Sequence, residues 1–223
     1  NFVVNSIEEY FAQLRQRYVI VDHRERKNLI WEQVQETARQ AGGKAMENDE
    51  LLEEVCFLLE YPTAFVGRFS PSYLDVPAEV LTTSMIEHQR YFPVFDDRGR
   101  LMNAFIGVRN GTEASLDIVR AGNERVLKAR LEDALFFWKE DTAKVMADFV
   151  PGLHKVMFHE RLGSIMDKVK RLQKLAVFIG EQTGLGCPDQ LERAALLCKA
   201  DLLSNMVYEF PELQGIMGRY YAL

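Results

Sequence analysis

KADLLSNMVYEFPELQGIMGRYYA, residues 199–222, decides how this chain is read. The run leading into it, AALLCKADL, has the composition of a packed helix and carries Cys198 and Lys199 side by side. A lysine ammonium has no lone pair to give a metal at neutral pH, and one thiol cannot replace a histidine and a carboxylate together. The stretch therefore reads as helical scaffold without metal chemistry. Lys199 and Asp201 then serve packing, as an ion pair or a helix cap.

Working outward, Gln190–Tyr208 reads as one helix with Asp189 as its cap, after a GLGCPD loop. The preceding helix places Leu162, Ile165, Met166, Val169, Leu172, Ala176 and Ile179 on a buried side, and Lys168, Lys170, Arg171 and Lys174 on the other. Pro151 and Gly152 interrupt the pattern near Phe149 and mark a domain boundary. From Gly122 a long helix is expected, with Val126, Leu127, Leu131, Ala134, Leu135 and Trp138 on its apolar face. Before it, helix and strand mix. RYFPVF and LMNAFIGVR flank DDRG and predict a hairpin, TAFVGRFS and YVIV read as strand-prone, and helices are expected over 7–17, 22–41, 48–60 and 77–89. The fold class is α+β: a mixed α/β domain over 1–149, then an all-helical domain over 150–223.

With 48% hydrophobic and 27% charged residues, the chain has the composition of an ordinary globular protein and no apolar run near the roughly 20 residues of a membrane span. Three cysteines without CxxC spacing read as reduced thiols of a cytoplasmic protein. NFVVNS is not a signal peptide, and both ends read as cuts in a longer polypeptide. Residues 1–150 carry 18 Lys and Arg against 25 Asp and Glu, whereas 151–223 carry 9 against 8. Such an acidic chain is a poor indiscriminate nucleic-acid binder, so any RNA contact must be a local patch.

The basic helix face at Lys168, Lys170, Arg171 and Lys174 is the best phosphate-binding candidate, set against the plainer reading of a solvated face. A second, weaker candidate is Arg90, Arg109, Arg125 and Lys128, where Tyr91 and Phe92 would stack on bases or, more simply, pack in the hairpin. His154, His159 and His88 lack the partners that metal binding or base catalysis requires. Cys198 reads as a small buried hydrophobe. No phosphate-loop or dinucleotide motif is present. No catalytic, metal or cofactor-binding residue is expected here.

AALLCKADL resembles the metal-binding helix of the HD phosphohydrolases with Cys198 and Lys199 in its His and Asp places. More specifically, TTSMIEHQRYFPVFDDRGRLMNAFIGVRNG (82–111), GNERVLKARLEDALFFWKED (122–141), FHERLGS (158–164) and the 199–222 stretch are similar, in family order, to the β subunit of bacterial heterotetrameric glycyl-tRNA synthetase. RQRYVIVDHRERKNLI near the start is compatible with the same family. The resemblance implies a domain like the B3/B4 region of phenylalanyl-tRNA synthetase, followed by the start of an HD-like helical domain. It also implies an α2β2 ligase in which the α subunit activates glycine with ATP and Mg, while the β subunit recognises tRNA(Gly). The chain alone is then inactive and non-catalytic. The alternatives are an HD-type metal-dependent phosphohydrolase and a protein-interaction scaffold without RNA contact.

Overall fold

The computed structural model describes residues 2–223. The chain forms two compact units, Asn1–Glu132 and Asp133–Leu223. The first is mixed α and β. Its sheet holds β1 (Lys44–Ala45), β2 (Pro62–Arg68), β3 (Phe92–Phe95) and β4 (Leu101–Asn110), antiparallel throughout in the order β1-β3-β4-β2.

One face of this sheet is covered by α2 (His23–Gln40) and α3 (Asp49–Leu58). Asp22 starts α2 by accepting the amides of Arg24 and Glu25, and Asn48 starts α3 by accepting that of Leu51. Arg26, Ile30, Val34 and Ala38, four residues apart, are the buried positions of α2. The apolar three pack with Leu52, Val55, Phe92, Val94 and Ile106, each large side chain contributing about 1.5–3 kcal/mol of burial. Arg26 is different. Its guanidinium donates to the carbonyls of Cys56 (2.9 Å), Ile20 and Val21, so Tyr18–Val21 is an irregular segment and not the strand its β-branched residues suggest.

The 92–110 hairpin forms around Asp96–Gly99, where Asp96 Oδ1 accepts the amides of Arg98 and Arg100 and Gly99 takes a φ of +73°. On the sheet's other face two cross-strand pairs repeat a motif: Phe65 opposite Gly107 and Phe105 opposite Gly67. A Cβ on Gly67 would lie 2.1 Å from the Phe105 ring, and one on Gly107 would lie 2.4 Å from Phe65. Each ring thus lies flat over a glycine. Tyr91 stacks on Phe105 at 4.4 Å and donates its hydroxyl to Asn123 Oδ1.

Burial pushes the Tyr91 phenol up from its ordinary 10 to about 12. Because the folded value is raised, its contribution is complete below about pH 10 and is lost as pH rises through the folded value. Denaturant melts between pH 9 and 12 should therefore show falling stability in this unit. The fall should be shallower in Tyr91→Phe, and an unchanged slope would contradict the assignment.

α4 (Ala78–Gln89) follows Pro77, and α5 (Leu116–Thr142) begins six residues before the Gly122 start expected from sequence. Ser115, with φ +56°, ends the preceding loop there. Leu127, Leu131 and Ala134 are buried along α5, but Val126 is half exposed.

The second unit is helical apart from one small hairpin, β5 (Met157–His159) with β6 (Gly163–Ser164), which the sequence pattern did not announce. Pro151 and Gly152 lie inside a 3-10 helix over Met146–Lys155, whose Met146, Phe149 and Leu153 are buried. Then come α6 (Ile165–Thr183) and α7 (Pro188–Leu197), the latter with Cys187 at its cap position, without a side-chain cap hydrogen bond, and Asp189 in its first turn. The single helix expected over 190–208 is broken. After α7 a 3-10 turn (Ala200–Leu203) leads to α8 (Asn205–Glu209), and beyond it α9 (Ile216–Ala222).

The break has a physical cause. Asp141, fully buried near the end of α5, accepts the amides of Asn205 and Met206, both at 2.9 Å, while Ser204 Oγ accepts that of Val207. Three free amides of a new helix start are satisfied there, so the chain restarts a helix and does not continue the old one. No helix among the described residues is long and apolar enough to cross a membrane.

Candidate functional site

The basic helix α6 is fixed at both ends. Ser164 Oγ accepts the Asp167 amide at 3.2 Å and Asp167 Oδ2 accepts the Ser164 amide at 2.8 Å, a reciprocal cap. That backbone hydrogen bond is the main cause holding the Asp167 carboxyl below the usual range. Gly163 precedes it at φ +85°, where a Cβ would meet Asp167 Oδ2 at 2.4 Å. Gly184 closes the helix in the left-handed region. Ile165, Met166 and Val169 bury one side with Leu153, Leu196 and Leu203 around them.

The four cations do not share a face. Lys170, Arg171 and Lys174 are exposed at i, i+1 and i+4, within one arc of about 100°. Lys168 is half-buried off that arc, its ammonium 4.1 Å from the centre of the Phe158 ring on the β5–β6 hairpin. Arg171 donates to the Leu162 carbonyl at 3.1 Å. Lys170 and Lys174 line an open cleft of about 520 Å³ with Phe178, Glu181 and Glu192.

None of the four cations forms an ion pair among the described residues. By contrast Arg15, Lys27, Arg39, Lys44, Arg90, Arg100 and Lys128 of the first unit all do. Lys170, Arg171 and Lys174 are thus exposed cations without an ion-pair partner on a capped helix. Leu162 and Ile179, expected on the buried side, are half exposed, and Leu175 and Phe178 join them at the surface.

Of the second group only the two aromatic rings pack in the hairpin, while Arg125 and Lys128 are exposed on α5, Lys128 paired with Glu132. Tyr91 and Phe92 are buried, Arg90 pairs with Glu54, and Arg109 donates to the Ala114 carbonyl. His154 and His159 are exposed, and His159 Nδ1 accepts the Arg161 amide. Cys198 is also exposed, because α7 ends just before it and the chain turns away; its thiol donates to the Ala195 carbonyl. Asp201 is fully buried. Its Oδ2 accepts the amides of Gly215 and Gly218 and so caps α9, and no ion pair joins it to Lys199. No group of three or more His, Cys, Asp or Glu side chains is arranged to hold a metal among the described residues.

The sequence model of the family described as glycyl-tRNA synthetase beta subunit matches residues 1–223, from one end of the chain to the other. The chain belongs to that family. It is 72% identical over 220 residues to the glycine–tRNA ligase beta subunit of Syntrophomonas wolfei, covering 99% of this chain and 32% of that protein. The corresponding proteins of Desulforamulus reducens and Desulforudis audaxviator are 54% and 52% identical, over 97% and 99% of this chain and 31% and 32% of their own lengths. The chain thus spans about a third of the length of these curated relatives.

One residue of this chain escaped sequence reasoning although a signal was there. Asp141 falls on the same helical stripe as Leu127, Leu131, Ala134 and Trp138, and an acidic residue on an apolar stripe marks a buried acceptor. The Tyr221 hydroxyl also donates to it, at 2.9 Å. Burial first, then the Asp141 charge, pushes that phenol well above its ordinary value.

Proposed function

We propose that this chain is a tRNA-handling, non-catalytic part of glycyl-tRNA synthetase, supporting the ATP-dependent attachment of glycine to tRNA(Gly) in the cytoplasm together with an α subunit in an α2β2 assembly. The observation that carries the reading is the family match over all 223 residues. The relatives' own name, glycine–tRNA ligase beta subunit, points to the same reaction and to a partner subunit. ATP and Mg belong to the α subunit in this reading. Residues 1–149 are read as a B3/B4-like domain and residues 150–223 as an HD-like domain whose metal positions are taken by Cys198 and Lys199.

The chain's part in the reaction is positional. Glycyl transfer needs the tRNA 3′ end within reach of the adenylate, and holding it there lowers the barrier without a reacting group from this polypeptide. Lys170, Arg171 and Lys174 supply phosphate contacts at a spacing fixed by the capped α6, with Lys168 behind them. Glycine-dependent pyrophosphate exchange tests the division of labour. The chain alone should show no exchange above a heat-killed control, and exchange should appear on adding the α subunit. Exchange by the chain alone would contradict the proposal.

A further inference from the structure

α1 (Ile7–Arg15) is an amphipathic helix whose apolar side is uncovered. Ile7, Tyr10, Phe11 and Leu14 recur at i, i+3, i+4 and i+7 and so form one stripe, yet the helix buries none of its residues. Ile7 is 72% exposed, Tyr10 42% and Phe11 43%. Ser6 caps the helix by accepting the Glu9 amide, and Glu8 and Glu9 sit favourably in its first turn. Those terms are small. A helix of nine residues lies below the roughly 12–15 at which isolated helices become even marginal in water, so its stability has to come from packing of the apolar stripe.

We propose that in the full-length subunit the Ile7–Tyr10–Phe11–Leu14 stripe is covered by a segment of the same polypeptide lying outside residues 1–223. Two observations select this occupant over a separate chain. The relatives carry about two-thirds of their length outside the region this chain spans, so ample polypeptide is available. The stripe, together with the exposed Phe2, Val3 and Val4 that Gln13 holds beside α1 through the Val3 carbonyl, exposes on the order of 600 Å², below the ~800 Å² per partner of a stable interface between free proteins. A tethered segment needs no such area, because its effective concentration is already about millimolar. The inference rests on family membership and not on the tRNA reading.

Peptide-resolved amide hydrogen exchange on the full-length subunit, without the α subunit, tests it. Residues 10–15 should exchange at least about 100-fold more slowly than in an Ile7→Ser/Phe11→Ser variant, the shift given by uncovering two large side chains. The same variant should speed exchange in a segment outside residues 1–223, which identifies the cover. Ala12→Gln, on the opposite side of α1, should change neither. The proposal is overturned if α1 is unprotected, if protection varies with protein concentration and so reports a second copy, or if it requires the α subunit. It is equally overturned if the double variant deprotects α1 without any change outside residues 1–223.

Discussion

Asp141→Leu is expected to destabilise the helical unit by about 3 kcal/mol, since one buried and two partly buried donors lose a charged acceptor and an unsatisfied buried group costs about 1–3 kcal/mol without strict additivity. The donors are the amides of Asn205 and Met206 and the hydroxyl of Tyr221. Asn at 141 keeps the shape but turns an NH2 group toward at least one of these donors, so it should recover little. Trp138 stacks on Tyr221 with ring centres 5.8 Å apart, which makes its fluorescence a local reporter. In a Trp31→Phe background the denaturant midpoint read at Trp138 should fall sharply for both variants. An Asp141→Leu midpoint within about 0.5 kcal/mol of the parent, the range of ordinary surface substitutions, would show that the carboxylate does not organise α8 and α9.

Gly67→Ala is expected to cost about 3 kcal/mol, at the upper end of overpacking penalties, because the added methyl lands inside the Phe105 ring and not beside a flexible side chain. Gly107→Ala meets Phe65 in the same way. Both are glycines for want of space, with no positive φ to accommodate. A double-mutant cycle separates the clash from any loss of strand propensity. Phe105→Leu alone removes aromatic packing against Tyr91 and should destabilise, yet combined with Gly67→Ala it should cost clearly less than the two added together. Strict additivity would mean that the ring is not what excludes the methyl group.

What the sequence disclosed divides by the range of the interactions involved. The 92–110 hairpin was legible because DDRG carries its own turn chemistry, and the starts of α2 and α3 because Asp22 and Asn48 cap within three residues. The division of 190–208 was not legible, since the acceptor that restarts the helix at Asn205 lies 64 residues earlier. Tyr18–Val21 failed as a strand for a similar reason: its carbonyls are claimed by Arg26, which also reaches Cys56, 30 residues away. At the candidate site the cations were readable from composition. Their sorting was not, because Lys168 is drawn aside by Phe158 on a two-strand hairpin too short to leave a pattern.

The most direct measurement is the salt dependence of tRNA(Gly) binding by the complete α and β enzyme, with Lys168, Lys170, Arg171 and Lys174 all replaced by Gln. Each phosphate contact contributes about 0.7–0.9 to the slope of log affinity against log salt. Loss of the three exposed cations should therefore flatten that slope by about 2–3 and weaken binding at low salt, while the untouched Ile165, Met166 and Val169 side keeps α6 folded. A well-folded variant with the parent's affinity and slope would contradict the assignment of α6 as the tRNA-contacting element.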